Sequence, residues 1–487
     1  MAWHPRIAET HTGMVFLVGD RAYKIKKSVV TDFLDFSTVD RREAACSSEV
    51  TLNRRLAPDS YLGVAHFTAP GADAEPVIVM RRHPDELRLQ TMVRHGEPVE
   101  DHLAEVALVL SRFHAVARRG REVDAQGRVD AIAARWQENI AELQRYAEST
   151  DLGIDPDVVA EIQQLSGRFI AGRSVLFSRR ISEHRIVDGH GDLRADDIFC
   201  LPDGPALLDC LEFDDRLRHI DVVDDAAFLA MDLEFLRRTD LAALFVREYT
   251  KASREDAPDS LWHFYIAYRA VVRAKVDCIR HIQQGGGGSA VEDAGHHLAI
   301  ALDHLRAGAV RLILVGGGPG TGKTTLSRAL GEEIGAQVIS TDDVRAEMVR
   351  IGEIAGTPGV LDEGLYTPEN IDAVYAGVLR RAHLSLCEGR NVVLDGTWHD
   401  QRHRALARRI AGESGAVAIE LACTAPLDAT VSRVTGRVQT TSQVTPEITV
   451  AMAHRGDEVW PEAHRIETVG PQADSLAQAK EICALAV

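Results

Sequence analysis

The hydrophobic positions change period along the chain. Over roughly the first 90 residues they fall in short runs separated by turn residues. Met14–Val18, Gly19-Asp20 and Arg21–Lys26 read as two strands joined by a two-residue turn. Val77–Met80 is a further apolar strand, and Arg41–Leu56 between them is long enough for a helix. From Asp101 onward the spacing becomes helical, with Leu103, Val106, Ala107 and Leu110 on one stripe. Trp262–Ile282 and Ala290–Leu305 read as two helices, antiparallel across the glycine-rich loop Gln283–Ser289. Near Ala307-Gly308 the helical pattern stops, and Leu312–Val315 begins as a buried strand. Beyond it strand and helix alternate, which predicts a parallel sheet. The expectation is a bilobal α+β domain over residues 1–307, with a sheet lobe to about residue 90 and a helical lobe over 91–307, then an α/β domain over 308–487.

Charge and cysteine content narrow the partners. Lys and Arg total 55 against 73 Asp and Glu, a net charge of −18. Such a surface repels nucleic acid and anionic lipid. No apolar run approaches the roughly 20 residues of a membrane span. The start, MAWHPRIAETHTG, lacks a signal pattern. The seven cysteines are scattered without a C-x-x-C pair, which points to a reducing, cytoplasmic setting and away from a zinc site.

Gly317-Gly318-Pro319-Gly320-Thr321-Gly322-Lys323-Thr324 matches G-x-x-x-x-G-K-[ST] at every fixed position, after an apolar strand and before a helical run. Such a loop turns backbone N–H groups toward phosphates at a helix N-terminus. Lys323 then reaches the β/γ-phosphates of ATP, and Thr324 holds Mg²⁺. Asp342, just past the strand Gln337–Ser340, is either a base for a substrate hydroxyl or a helix N-cap. Arg345, on the same side of the following helix, suits an anionic group. Asp395, at the end of Asn391–Leu394, is a second candidate for Mg²⁺ or a structural carboxylate. Arg433 and Arg437, four apart, are either lid arginines over the phosphates or a solvated helix face.

Residues 311–487 therefore resemble the small P-loop kinases: gluconate, shikimate and zeta-toxin kinases and the kinase module of polynucleotide kinases. The D-D-x-R run Asp342–Arg345 is most similar to the last group. That resemblance implies Asp342 as base and Arg345 as a contact to an acceptor phosphate.

A second constellation lies upstream: His190-Gly191-Asp192-Leu193-Arg194-Ala195-Asp196-Asp197, then Leu207-Leu208-Asp209. One aspartate to take a proton, a side chain five residues on and a second aspartate at a strand end are what phosphoryl transfer requires. This resembles the aminoglycoside phosphotransferase family, with its choline kinase and protein kinase relatives, over residues 1–305. The resemblance implies a bilobal fold with ATP between the lobes, Asp192 as base and Asp209 as metal ligand, with His190 bracing the loop. The family pattern H-G-D-x-x-x-x-N has Asn where this chain has Asp197. A carboxylate there can bind Mg²⁺, yet it adds charge that shifts metal preference, slows transfer or marks an inactive relative. For the phosphate-binding lysine, Lys24 comes before Lys26; for its glutamate partner, Glu49 before Glu43. Met80 is a hinge residue against adenine or plain core, and Gly13 stands where a glycine-rich loop belongs. The acidic stretch Glu212–Asp225 either draws a cationic acceptor or serves caps and salt bridges with Arg216 and Arg218.

The expectation is an ATP- and Mg²⁺-dependent phosphotransferase with two kinase modules and a small hydroxylated acceptor such as a sugar, amino sugar or aminoglycoside. The alternatives are a regulatory ATP-binding protein with an N-terminal pseudokinase and, against the charge, a polynucleotide 5′-kinase.

Overall fold

A computed structural model describes residues 6–9, 13–30, 35–68, 74–148, 152–285, 288–357, 363–436 and 460–486. Two compact units divide the chain. The first holds Met1–Glu161, Phe177–Ala257 and Tyr265–His304; the second holds Ile162–Leu176, Pro258–Phe264 and Leu305–Val487.

The first unit starts with a five-stranded antiparallel sheet of β1 (Arg6–Glu9), β2 (Gly13–Val18), β3 (Arg21–Lys26), β4 (Tyr61–Phe67) and β5 (Glu75–Arg81), in the order β1-β2-β3-β5-β4. Val18 pairs with Arg21 across the Gly19-Asp20 turn, where Gly19 adopts φ +57°. The helix Val39–Asn53, capped by Thr38, covers one face. Its Cys46 and Val50 pack with Tyr61 and Ile78 of the sheet, and with Phe199, Ala206 and Leu208. Those last three lie on or beside the hairpin of β7 (Ile198–Leu201) and β8 (Gly204–Leu207), which follows β6 (Ile186–Asp188). β6 pairs with β9 (His219–Asp221), and Asp209 is brought to the sheet lobe by the packing of Leu208 and by its ion pair with Lys24. Helices dominate the rest; Val222–Phe235 is buried over most of its length.

The second unit is a parallel sheet of β10 (Arg311–Gly316), β11 (Gln337–Ser340), β12 (Val392–Asp395), β13 (Val417–Thr424) and β14 (His464–Glu467), ordered β11-β12-β10-β13-β14. The central strand β10 is buried on both faces, which is why it reads as an unbroken apolar run. Ile313, Val315, Leu326, Leu330, Val393 and Leu421 lie in its core.

Residues 162–176 and 258–264 group with the second unit, although the pattern assigned both to the helical lobe of the first. Ring stacking of Phe169 on Phe264 at 4.4 Å and the Ser260 hydroxyl donating to Gly389 O at 2.7 Å hold them there. A helical stripe reports that a face is buried, not against what.

Gly331 lies inside the helix Lys323–Glu333, where a Cβ would sit 2.4 Å from Val338 Cγ2 and 3.1 Å from Ala336 O. Gly331→Val is expected to destabilise this unit by about 1–3 kcal/mol through overpacking, read as a lower denaturant midpoint.

Candidate functional site

Each unit presents a cluster suited to phosphate chemistry. In the second, β10 feeds directly into Gly317–Thr324. Gly317, Gly320 and Gly322 take φ of +139°, +79° and +84°, a region side chains avoid. A Cβ on Gly320 would meet Thr430 O at 2.5 Å. The helix Lys323–Glu333 starts from Gly322 with no side-chain cap, so its first N–H groups are left for an anion. Around Pro319 the loop is held by its neighbours: the Thr321 hydroxyl donates to Gly318 O at 2.8 Å, and the Thr468 hydroxyl to Thr321 O at 2.6 Å. Arg433 is half-buried and donates to Gly320 O at 3.2 Å and Thr468 O at 2.6 Å. Its guanidinium braces the loop from its carbonyl side, so neither a solvated face nor an open lid describes it in this structure. Arg437 lies outside the described residues.

Asp395 ends β12 opposite Val315 and Ser340. It is buried, and its Oδ1 has no partner. Burial raises its pKa, while Lys323 and a hydrogen bond from Thr324 work the other way. An orphaned carboxylate oxygen beside a threonine hydroxyl is a hard-oxygen pair that fits Mg²⁺. Asp342 does not cap its helix: Ser340 Oγ is the cap and accepts the Asp342 N–H at 3.2 Å. The Asp342 carboxylate instead takes the Arg345 Nη1 donor at 2.6 Å and contributes to the raised pKa of Asp395. Arg345 lies 4.7 Å over the Tyr366 ring, and its Nε is buried without a partner. Thr367 caps the helix Pro368–Cys387 by accepting the Asn370 N–H.

In the first unit, Lys24 Nζ lies 2.8 Å from both Glu49 and Asp209. Burial opposes its charge, but Asp209 and Glu49 outweigh burial and raise its pKa. Lys26 Nζ reaches Glu49 at 2.6 Å and also pairs with Glu212. Glu49 is wholly buried and serves both lysines, whereas Glu43 is at the surface against His66. Asp209, at φ +62°, donates its N–H to the Tyr61 hydroxyl, and Cys210 N–H goes to Asn53 Oδ1 at 2.8 Å. Lys24 holds the Asp209 carboxyl well below the usual range.

Arg194 joins the two remaining carboxylates, with Nη2 2.8 Å from Asp197 and Nε 3.5 Å from Asp192. Burial pushes Asp197 up to about 8, against the pull of Arg194 and with added repulsion from Asp209 and Asp192. Lys24 and Arg194 offset the repulsion among Asp209, Asp197 and Asp192, and among the described residues no group of three or more His, Cys, Asp or Glu is arranged to hold a metal ion, which leaves Asp197 and Asp209 as a pair of hard-oxygen ligands. His190 is buried and takes no part in that cluster. Its Nε2 donates to Leu208 O at 2.9 Å and its Nδ1 accepts the Asp192 N–H at 3.3 Å, bridging the loop to the strand that ends before Asp209. Met80 is partly buried and packs against the Ile78–Tyr61 core. Gly13 opens β2, and residues 10–12 before it lie outside the described ones.

An uncharacterized protein of Mycobacterium tuberculosis strain H37Rv, Rv2004c, is 53% identical to this chain over 477 residues, covering 98% of it and 95% of the relative. A counterpart in Mycobacterium bovis, Mb2027c, matches to the same extent. The chain belongs to their family. Residues 312–456 also match the family described as AAA domain (AAA_33). Among solved structures, a choline/ethanolamine kinase family protein from Mesorhizobium loti is similar at 13% identity, covering 62% of this chain and 92% of that one, with a TM-score of 0.38. A sugar kinase from Janibacter sp. HTCC2649 is similar at 17% identity, 37% and 98% coverage and a TM-score of 0.29.

What sequence reasoning missed in this family member is the support under the H-G-D loop. Asp225 is fully buried and accepts the His190 N–H at 2.7 Å, the Gly191 N–H at 2.9 Å and His114 Nε2 at 2.9 Å. Asp232 accepts the Ala195 N–H at 2.8 Å. Arg269 ties Asp224 to Gly191 O. The acidic stretch is thus spent on structure: Asp221 pairs with Arg180, Asp214 with Arg216, Asp215 with Arg218 and Glu212 with Lys26. The signal was available in Val222–Phe235, where carboxylates interrupt an apolar helix and must therefore find buried donors. Asp225→Asn, which trades an acceptor for a donor facing N–H groups, is expected to destabilise the first unit by about 3 kcal/mol in chemical denaturation.

Proposed function

We propose that the chain is an ATP-dependent phosphotransferase with two separate Mg·ATP cradles, one in each unit, that transfers the γ-phosphoryl group to a hydroxyl of a small molecule. The observation that carries this reading is the convergence of Lys24, Glu49, Asp192, Asp197 and Asp209 from distant parts of the sequence. It stands beside a P-loop whose helix start is uncapped.

In the first unit Glu49 aims Lys24 toward the nucleotide phosphates, and Asp192 accepts the proton of the acceptor hydroxyl. Asp197 and Asp209 would hold Mg²⁺, which when bound neutralises charge on the phosphate oxygens. Arg194 screens Asp192 from Asp197 and keeps the base oriented. In the second unit the N–H groups after Gly322 and the Lys323 ammonium receive phosphate oxygens. Thr324 and Asp395 would hold the metal. Asp342, steadied by Arg345, is the base. Positioning and charge neutralisation supply most of the rate, because phosphoryl transfer asks little covalent chemistry of the protein.

The acceptor is a small hydroxylated molecule such as a sugar, an amino sugar or an aminoglycoside; the acidic stretch that could draw a cationic acceptor has ion-pair partners within the protein. The regulatory reading, with the first unit as a pseudokinase, is favoured by one feature: Asp197 stands where the resembled family has Asn and is tied to Arg194.

Turnover of ATP by the full chain, with a panel of hydroxylated metabolites as acceptors, separates these readings. Asp192→Ala is expected to lower transfer by about 10²–10⁴-fold at the first site. Lys323→Ala is expected to abolish nucleotide use at the second. If Lys323→Ala alone removes turnover, the first unit is a pseudokinase; if neither variant matters, the protein is not a phosphotransferase. Chelation of Mg²⁺ should stop both activities and be reversed by adding the ion back.

A further inference from the structure

Two lysines stand two residues apart on one face of β3, and both reach the same carboxylate. They divide it between them. Lys24 Nζ lies 2.8 Å from Glu49 Oε1, and Lys26 Nζ lies 2.6 Å from Glu49 Oε2. Beyond Glu49 their partners differ: Lys24 reaches Asp209 Oδ1 at 2.8 Å, whereas Lys26 pairs with Glu212 Oε1. The Lys26 side chain is 2% exposed against 18% for Lys24, and the Phe36 ring lies 5.3 Å from its ammonium. Lys24 is therefore the lysine that a ligand can reach, and Lys26 is the one that stays in place.

The segment that carries Asp209 is pinned residue by residue after β8 ends at Leu207. Asp209 N–H donates to the Tyr61 hydroxyl at 3.3 Å, Cys210 N–H to Asn53 Oδ1 at 2.8 Å and Leu211 N–H to His190 O at 3.1 Å. Glu212 is held through its carboxylate, by Lys26. Lys26 thus joins the helix that carries Glu49 to the loop that carries Asp209.

That junction matters when Lys24 changes partner. A nucleotide phosphate gains the Lys24 ammonium only as Lys24 gives up Asp209, and the same exchange frees the Asp209 oxygen. Were Lys24 the sole cation on Glu49, any shift of Lys24 would leave a wholly buried carboxylate alone, which is strongly unfavourable. With Lys26 on its other oxygen, Glu49 keeps a cation whichever way Lys24 turns. Glu212 in turn keeps Lys26 from being a buried cation with half a partner.

We infer that Lys26 is a positioning residue of the first site: it holds Glu49 and, through Glu212, the Asp209 loop, so that Lys24 can exchange Asp209 for a nucleotide phosphate. This rests on the phosphotransferase reading of the first unit. Lys26 acts through these two carboxylates and not by touching the nucleotide.

The test uses the full-length chain carrying Lys323→Ala, which leaves nucleotide use to the first site. Calorimetric titration with Mg·AMPPNP reads affinity, and ATP turnover reads KM and kcat. Lys24→Met should remove binding. Lys26→Met should weaken Mg·AMPPNP binding and raise KM by about tenfold or more, with a smaller fall in kcat. Glu212→Gln should act in the same direction, and adding it to Lys26→Met should cost little more, because the pair is lost once. A folded Lys26→Met with unchanged affinity overturns the inference, as does a loss confined to kcat. Should Lys26→Met not fold, Glu212→Gln takes its place, and unchanged affinity there overturns the inference. A Lys323→Ala chain that binds no Mg·AMPPNP at all overturns the phosphotransferase reading of the first unit and this inference with it, whereas normal binding in both Lys323→Ala and its Lys26→Met derivative overturns the inference alone.

Discussion

A carboxylate removed from water has to be met by donors or by cations, and that requirement organises the first unit. Glu49 is wholly buried because Lys24 and Lys26 both reach it. Asp225 is wholly buried because two loop N–H groups and His114 converge on it. The first carboxylate fixes the lysine and the second fixes the loop that carries Asp192, so the groups of the proposed site are placed by two buried charges. Replacing one partner of such a pair costs more than the pair contributes, since the other charge stays buried and alone. The arrangement is therefore specific before it is stabilising.

The same requirement explains Asp197. A carboxylate added beside Asp192 and Asp209 would raise the repulsion in the cluster with nothing to offset it. Arg194, three residues earlier on the same loop, sits between the two aspartates of that loop, and Lys24 answers Asp209. The cluster thus carries its own partial compensation. This compensation is local in sequence, which is how one loop can accept the extra charge without rebuilding its surroundings.

How much of this is legible in the residues follows from how each site is built. The P-loop uses backbone N–H groups, so its requirement compresses into eight consecutive positions and a strand before them. Three glycines at positive φ leave few other readings. The cluster proposed as a cradle in the first unit draws side chains from positions 24, 49, 192, 197 and 209, and spacing across such gaps carries little information. Lys24 and Lys26 share one strand face, and only the structure shows that one glutamate serves both while Lys24 alone also pairs with Asp209. The acidic helix was harder still, because a run of aspartates looks like surface until its donors are known. Arg433 was hidden for the converse reason: a basic residue near a phosphate loop suggests phosphate, yet here it meets carbonyls.

The two units solve one electrostatic problem by different means. Backbone N–H dipoles offer positive potential without a charge to bury, so the P-loop holds its shape with glycines, a few hydroxyls and the Arg433 guanidinium. Side-chain ammonium and carboxylate groups offer more charge but must each be desolvated, so the first unit recruits a second ring of buried ions: Asp225, Asp232, Asp224 and Arg269. That ring ties the geometry of the first cluster to the integrity of its helical lobe. Deep in Val222–Phe235, loss of the Asp225 acceptor would be felt at Asp192 through His190 and Gly191, the residues that hold the loop in place. The P-loop is braced at its carbonyl side by Arg433 rather than by a ring of buried carboxylates, so substitutions far from each site should disturb the first more readily than the second.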